Sequence, residues 1–93
     1  MPESVNLERS VVIQNHFGMH ARPAAEFVKL ANRFQSELWV RKGDLEVNAK
    51  SIMGVMMLAA ECGSEIVIRA EGDDAPQALL ELCDLVDRRF GEE

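Results

Sequence analysis

The sequence predicts an α+β fold of the open-faced sandwich type, a four-stranded antiparallel sheet with three helices on one face. Three observations support this fold class. Short segments rich in β-branched residues alternate apolar and polar positions, two longer segments repeat apolar residues at helical spacing, and a Gly-Asp pair separates two strand-like segments. The predicted element order is β-α-β-β-α-β-α.

The N-terminal third of the chain contains a predicted strand and a predicted helix. Residues 7–13 form the strand, because their apolar side chains alternate. Residues 21–34 form an amphipathic helix. Pro23 supports the start of this helix, since proline is tolerated in a first turn. The apolar face of the helix consists of Ala24, Phe27, Val28, Ala31 and Phe34.

A hairpin and a short helix follow in the middle of the chain. Residues 37–42 and 45–48 flank Gly43-Asp44 and are predicted to pair as a hairpin. Ser51 then precedes the apolar run IMGVMML and is the expected N-cap of a helix. Gly54 weakens that helix by about 1 kcal/mol relative to alanine, so a short helix is expected.

The last predicted elements are a strand over residues 65–71 and a C-terminal helix. Asp74 is the expected N-cap of this helix, with Pro76 in its first turn and Gln77 completing a capping box. The apolar stripe of the helix consists of Ala78, Leu79, Leu82, Cys83, Val86 and Phe90.

Length and composition restrict the function classes. The 93 residues fit one domain spanning residues 1–93, and 47% hydrophobic residues suffice for a small core. The net charge of −6 argues against nucleic acid as a partner, because phosphate contacts need lysine and arginine. No apolar run approaches the roughly 20 residues of a membrane span, and residues 1–9 lack the apolar core of a secretion signal. We therefore expect no membrane insertion and a cytoplasmic location.

The two cysteines, Cys62 and Cys83, lie far apart in the sequence and form no CxxC pair. In a reducing compartment they are expected to be free thiols. Neither they nor the two histidines are spaced like metal ligands, so no metal and no bound cofactor are predicted.

The start of the first helix is the candidate functional site. A helix N-terminus offers backbone N–H groups without partners and a partial positive charge, so it binds anions. His20 immediately precedes the helix, Ala21 and Arg22 lie in its first turn, and Gly18 gives the loop conformational freedom. A neutral imidazole is a good nucleophile, and the Arg22 fork suits phosphate oxygens. These residues fit a phosphoryl-carrying imidazole, although spacing alone also allows a loop histidine beside a solvated arginine.

Two motifs add a family resemblance. The segment GMHARPA, residues 18–24, resembles the active-site signature of HPr, the histidine-containing phosphocarrier of the bacterial phosphotransferase system. The segment KSIMGV, residues 50–55, resembles the second signature of that family, around a regulatory serine. The separation of the motifs, the element order and the length also fit, so the resemblance covers residues 7–90.

The resemblance implies a phosphoryl relay without a resident cofactor. His20 resembles the histidine that enzyme I phosphorylates on Nδ1 with phosphoenolpyruvate, and Arg22 the arginine that contacts the phosphoryl group. The phosphoryl group would pass to an enzyme IIA-type protein, which makes the chain a carrier rather than an independent enzyme. The backbone N–H groups of Ala21 and Arg22 are expected to bind phosphoryl oxygens.

The second motif implies docking and regulation. Ile52, Met53 and Met56 resemble the exposed apolar patch that docks partners, for which adaptable methionines are suited. Ser51 resembles the serine modified by an ATP-dependent HPr kinase/phosphorylase. A phosphate there would put negative charge inside the docking patch, although Ser51 also has a purely structural interpretation as an N-cap.

Several alternatives stay open on the sequence alone. Lys29, with Arg33 and Arg22, forms a basic patch that either steers acidic partners or is ordinary solvated surface. The acceptor belongs either to carbohydrate uptake or to a nitrogen-related regulatory branch. A different class of function is a non-relay regulatory module acting through Ser51 phosphorylation and protein binding. A metal-carrying domain of similar topology would need paired cysteines before a helix, which this loop lacks.

Three further expectations concern the rim of the site and the assembly. His16 is expected to be an exposed loop residue. Phe17 occupies a position that is polar in many members of the resembled family, and it either covers the site or touches partners. A small acidic domain is expected to be a monomer.

Overall fold

The computed structural model describes residues 6–92 and has the predicted order of strands and helices. Residues 1–5 and 93, and with them part of the segment from which we predicted no secretion signal, lie outside the described residues. The strands are β1 (Asn6–Val12), β2 (Glu37–Lys42), β3 (Leu45–Asn48) and β4 (Glu65–Glu71). The helices are α1 (Ala21–Ala31), α2 (Ile52–Met57) and α3 (Ala75–Asp87), and a 3₁₀ turn covers Arg89–Gly91.

The four strands form one antiparallel sheet in the order β1-β4-β2-β3. The predicted hairpin of β2 and β3 is present, with Lys42 opposite Leu45 next to the turn. In β2 and β4 the inward-facing side chains are buried under the helices, whereas those between them are half-buried on the helix-free face, so the predicted open-faced sandwich is confirmed.

The core lies between the sheet and the helices and is almost entirely aliphatic. Phe27 of α1 is its largest fully buried side chain, and Phe90 closes it near the C-terminal end. The strands contribute Val11, Leu38, Val40, Ile66, Ile68 and Ala70, and α3 contributes Ala78, Leu79, Leu82, Cys83 and Val86. The stripe predicted for the last helix therefore faces the core.

The open face of the sheet carries a polar and aromatic cluster. The Arg69 guanidinium lies 3.7 Å from the centre of the Trp39 ring and donates to the Glu46 carboxylate at 3.1 and 3.3 Å. Hydrogen bonding to Arg69 lowers the pKa of Glu46. The arginine thus covers an aromatic ring on the face of the sheet that carries no helices.

Helix α1 is shorter than predicted, ending at Ala31 rather than at residue 34. The Asn32 side chain donates to the carbonyl oxygens of Val28, at 2.9 Å, and of Lys50, at 3.2 Å. These bonds satisfy carbonyl groups at the helix end and tie the end to the segment before α2. Phe34 still packs against the core, from the turn after the helix.

The predicted capping box at Asp74 is wrong. Asp74 occupies the N-cap position of α3, but its carboxylate makes no side-chain bond to the helix. The carboxylate instead accepts from the backbone N–H groups of Gln35 at 2.9 Å and Ser36 at 3.0 Å, and from the Ser36 hydroxyl. These bonds, chiefly that of the hydroxyl, lower the pKa of Asp74. Gln77 donates to Glu81 rather than back to the cap.

Two further features concern residues 6–92. No helix in this part of the chain is long and apolar enough to cross a membrane. Cys62 is exposed and Cys83 is buried, and both are free thiols, as expected. Burial raises the pKa of the Cys83 thiol, which keeps it protonated and unreactive.

Candidate functional site

His20 is the N-cap residue of α1, where the chain changes from extended to helical backbone. Its carbonyl oxygen accepts the first helical hydrogen bond, from the Ala24 N–H at 2.9 Å. The preceding N–H groups of the first turn, on Ala21 and Arg22, have no intrahelical acceptor, and Pro23 has no N–H at all. The imidazole is thus attached at the positive end of the helix.

Gly18 presses the loop before His20 against a distant segment. Its φ of +70° lies in the left-handed region, and a Cβ there would lie 2.6 Å from the Ala60 carbonyl oxygen and 2.8 Å from the Glu61 Cα. The next residue, Met19, is buried and donates its N–H to the Ala60 oxygen at 2.8 Å. The loop position therefore requires glycine, and it fixes the backbone from which His20 projects.

One nitrogen of the His20 ring, Nε2, is hydrogen-bonded to the carboxylate of Glu92. Its Nε2 lies 3.1 Å from Glu92 Oε2 and 3.3 Å from Oε1, and the side chains are 39% and 15% exposed, respectively. A carboxylate accepts hydrogen bonds and does not donate them, so Nε2 carries the proton in this contact. In the neutral ring the lone pair is then on Nδ1, the nitrogen available to an electrophile.

Asn15 holds the carboxylate from the other side. It is fully buried, and its Nδ2 donates to Glu92 Oε1 at 3.1 Å and to the Gly18 carbonyl oxygen at 2.6 Å. Both partners are acceptors, so the amide nitrogen must face them. One side chain thus ties the Gly18 loop to Glu92.

Glu92 reaches the site through an unusual backbone turn. Arg89, Phe90 and Gly91 all have positive φ, of 59°, 54° and 75°. We predicted Phe90 on the stripe of the last helix, but α3 ends at Asp87 and Phe90 lies in this turn. Its side chain is nevertheless buried, which anchors the turn against the core.

A cavity of about 630 Å³ surrounds the imidazole, and Arg22 is among its lining residues. Within residues 6–92 the Arg22 guanidinium has no carboxylate at ion-pair distance. Phe17, 76% exposed, stands edge-on to His20 with the ring centres 6.1 Å apart. His16 is exposed, as expected, and its ring lies edge-on to Phe17 with the ring centres 4.7 Å apart. The complete lining is His16, Phe17, His20, Arg22, Gly91 and Glu92.

The predicted basic patch does not share this cavity. Lys29 and Arg33 line a second groove, of about 240 Å³, between α1 and α3. Glu26, Leu30 and Leu85 line the same groove, and Arg88, the C-cap residue of α3, adds a third cation that is paired with Asp84. Arg22 lies at the start of α1, in the His20 cavity.

Helix α2 confirms the structural expectations for the second motif. The Ser51 hydroxyl oxygen accepts from the Gly54 N–H at 3.1 Å, so Ser51 is the N-cap. Ile52, Met53 and Met56 are all exposed, Met53 to 74%. Met57, which the prediction left out, is 65% exposed and extends this surface.

Sequence reasoning missed Asn15 and Glu92. Neither belongs to the GMHARPA segment, and Glu92 is 72 residues from His20. Within residues 6–92, no three or more His, Cys, Asp or Glu side chains form a group that could hold a metal ion.

Among residues 6–92, the His20 Nδ1 has no hydrogen-bond partner and Arg22 has no acidic partner. An imidazole and an arginine in these states, at a helix N-terminus, are the arrangement expected of a small phosphoryl carrier. A family model for the phosphorylation site of the HPr component of the phosphotransferase system matches residues 7–88. The chain therefore belongs to the HPr family of phosphotransferase-system phosphocarriers.

Individual relatives agree with this assignment. The phosphocarrier protein HPr of Neisseria meningitidis serogroup A is 46% identical over 86 residues, covering 92% of this chain and 97% of the relative. The crystal structure of HPr-C-His from Thermoanaerobacter tengcongensis superposes with a TM-score of 0.90 at 48% identity, covering 94% and 98%. Crh of Bacillus subtilis, a domain-swapped dimer, has a TM-score of 0.73 at 42% identity, covering 89% and 95%.

Proposed function

We propose that this protein carries a phosphoryl group on His20 between components of the phosphotransferase system. The observation that carries the proposal is the His20 environment. Its Nε2 is engaged by Glu92, its Nδ1 is available, and Arg22 shares the cavity. Membership of the HPr family supports the same role.

The donor is enzyme I, charged by phosphoenolpyruvate. The Nδ1 lone pair of His20 forms a bond to phosphorus while the bond from phosphorus to the donor breaks, and the donor keeps that electron pair. The transferred oxygens carry negative charge, which the N–H groups of Ala21 and Arg22 and the Arg22 guanidinium stabilise. The chain supplies positioning and charge stabilisation and needs neither metal nor cofactor.

The acceptor is an enzyme IIA-type protein, in sugar uptake or in the nitrogen-related branch. We propose that it docks on the surface of Ile52, Met53 and Met56, since exposed methionines adapt to different partners. Lys29 stands on α1 and would attract acidic rims. We also propose that the protein works as a monomer in the cytoplasm. Analytical ultracentrifugation at the working concentration distinguishes this monomer from a domain-swapped dimer.

Ser51 is the proposed regulatory position, modified by an HPr kinase/phosphorylase. Its hydroxyl is at the start of α2, directly before Ile52 and Met53. A phosphate there adds up to about two negative charges at the docking surface, and it repels acidic partners without unfolding the helix.

Labelling with two donors tests the proposal. With phosphoenolpyruvate and enzyme I, mass spectrometry should find one acid-labile phosphoryl group on His20, lost in His20→Ala. His16→Gln is the matched control for the other histidine and should retain the label. Label retained in His20→Ala would refute the carrier role.

The second donor separates the alternative function. With ATP and an HPr kinase/phosphorylase, an acid-stable group is expected on Ser51 and should be lost in Ser51→Ala. Label on Ser51 together with an unmodified His20 in the first reaction would favour the non-relay regulatory module, which acts through Ser51 and protein binding.

A further inference from the structure

We propose that Glu92 is a positioning residue for His20, delivered by the turn of residues 89–91 and held by Asn15. The proposal rests on the proposed role of His20 as phosphoryl acceptor. It assigns a function to the C-terminal end of the chain, a segment remote in sequence from both motifs.

The contacts distinguish Glu92 from an ordinary surface carboxylate. Its side chain is only 15% exposed, although it lies near the end of the chain. One oxygen is shared between the His20 Nε2 and the amide of Asn15, and Asn15 is itself fully buried. Because two donors hold the Glu92 carboxylate, it contacts the ring in a single orientation. An exposed carboxylate with one hydrogen bond would remain free to rotate.

The turn that delivers Glu92 is conformationally costly. Arg89 and Phe90 are not glycine, yet both have left-handed backbone angles. Such residues persist where the surrounding structure over-determines them, and they cluster at functional sites. Here the buried Phe90 side chain fixes the turn against the core, and the turn brings Glu92 into contact with His20.

The chemistry explains why a carboxylate belongs on Nε2. When Nδ1 forms its bond to phosphorus, the ring still carries the Nε2 proton and gains positive charge, which the Glu92 carboxylate stabilises. When the phosphoryl group leaves for the next acceptor, the N–P electron pair returns to Nδ1 and the ring departs as neutral imidazole, with its Nε2 proton still in place. Without that proton the leaving group would be an imidazolate anion. The role parallels that of the aspartate in a serine-protease triad.

The two functions of the ring do not collide sterically. Nδ1 and Nε2 lie on different edges of the imidazole, so the carboxylate and the incoming phosphoryl group approach from different sides. Arg22 lines the same cavity, and its positive charge is available to the phosphoryl oxygens.

Three substitutions test the proposal. Glu92→Ala removes the acceptor and the charge, Glu92→Gln keeps an acceptor oxygen but removes the charge, and Glu92→Asp keeps the charge. Glu81→Gln on α3 is the matched control, since it also removes one negative charge and its carboxylate contacts Gln77 rather than the site. The amide NMR spectrum verifies the fold of each variant.

The first readout needs no phosphoryl donor. In ¹⁵N-labelled protein at neutral pH, the His20 Nε2–H proton should exchange slowly enough to be observed, because it is bonded to Glu92. It should remain visible in Glu81→Gln and disappear by exchange with water in Glu92→Ala. A proton that stays equally visible in Glu92→Ala would overturn the proposal.

The second readout is the kinetics of phosphorylation by enzyme I. We expect kcat to fall about tenfold or more in Glu92→Ala, less in Glu92→Gln, and to be largely restored in Glu92→Asp, with KM for the carrier changed little. A rise in KM alone would make Glu92 a docking residue and refute the positioning role. Absence of His20 labelling in the unaltered protein would instead refute the proposed function, so the two failures are distinguishable.

Discussion

Replacing Gly18 with alanine should cost much more stability than replacing a glycine of similar backbone angle elsewhere. Gly18 has φ +70°, and a Cβ there would meet the backbone of residues 60–62, at 2.6 Å from the Ala60 oxygen. Gly43, in the β2–β3 turn, has φ +59° and nothing within 4 Å of its Cβ position. Gly43→Ala is therefore the matched control for the backbone angle alone.

The magnitude follows from two contributions. A side chain in the left-handed region costs about 1–2 kcal/mol, which applies to both variants. Only Gly18→Ala forces a Cβ against the backbone of another segment, and overpacking of this kind adds about 1–3 kcal/mol. The entropy that alanine removes from the unfolded chain is common to both and cancels in the comparison. Gly18→Ala should thus lose about 2–5 kcal/mol and Gly43→Ala about 1–2 kcal/mol.

Urea unfolding followed by circular dichroism measures the difference. With an m-value of about 2 kcal/mol/M, a gap of about 2 kcal/mol lowers the midpoint of Gly18→Ala by about 1 M relative to Gly43→Ala. The m-values of the two variants should agree, because both expose the same surface area on unfolding. His20 should also be phosphorylated more slowly in Gly18→Ala. The added Cβ would displace the Ala60 oxygen, to which Met19, the residue before His20, donates its N–H. Equal midpoints would refute the argument that the loop is pressed against residues 60–62.

Two further predictions concern helix starts. Ser51→Ala should lower the free energy of unfolding by about 1 kcal/mol, because the Gly54 N–H loses its cap, and Ser51→Thr should recover most of it in the same urea assay. Asp74→Ala should cost about 2 kcal/mol, because two backbone N–H groups and the Ser36 hydroxyl lose a charged acceptor. Since these bonds lower the pKa of Asp74, its contribution is complete above the ordinary value of 3.8 and is lost as pH falls through the lower folded-state pKa. Stability measured between pH 5 and about pH 2 should therefore fall less steeply in Asp74→Ala, and parallel curves would contradict this account.

Features determined by neighbouring residues were predicted correctly from the sequence. The Gly43-Asp44 turn, the Ser51 cap and the proline in the first turn of α1 each depend on a few adjacent residues, and the structure confirms all three. The strand and helix order follows equally from local periodicity. The GMHARPA segment likewise singled out His20 as the candidate phosphoryl acceptor without any knowledge of its surroundings, and that role stays a prediction.

Features that depend on residues far away in the sequence were not predicted correctly. An aspartate before a helix can accept from the helix or from any other N–H group within reach, and Asp74 accepts from residues 38 and 39 positions away. Asn32 ends α1 partly through Lys50, 18 positions away. Neither outcome is visible in a window of neighbouring residues, because the competing acceptors and donors come together only in the folded chain.

The His20 environment is the strongest case of this kind. The loop at Gly18, the segment at Ala60 and the tail at Glu92 are far apart in sequence, and hydrogen bonds join all three around one imidazole. Gly91 is a recognisable turn residue, but left-handed Arg89 and Phe90 have no sequence signal, so the path of the tail back to His20 could not be anticipated. The motif supplies the proposed nucleophile, His20, whereas the orientation of its ring depends on the completed fold. Loosening the tail should therefore impair His20 even though every residue of the motif is intact.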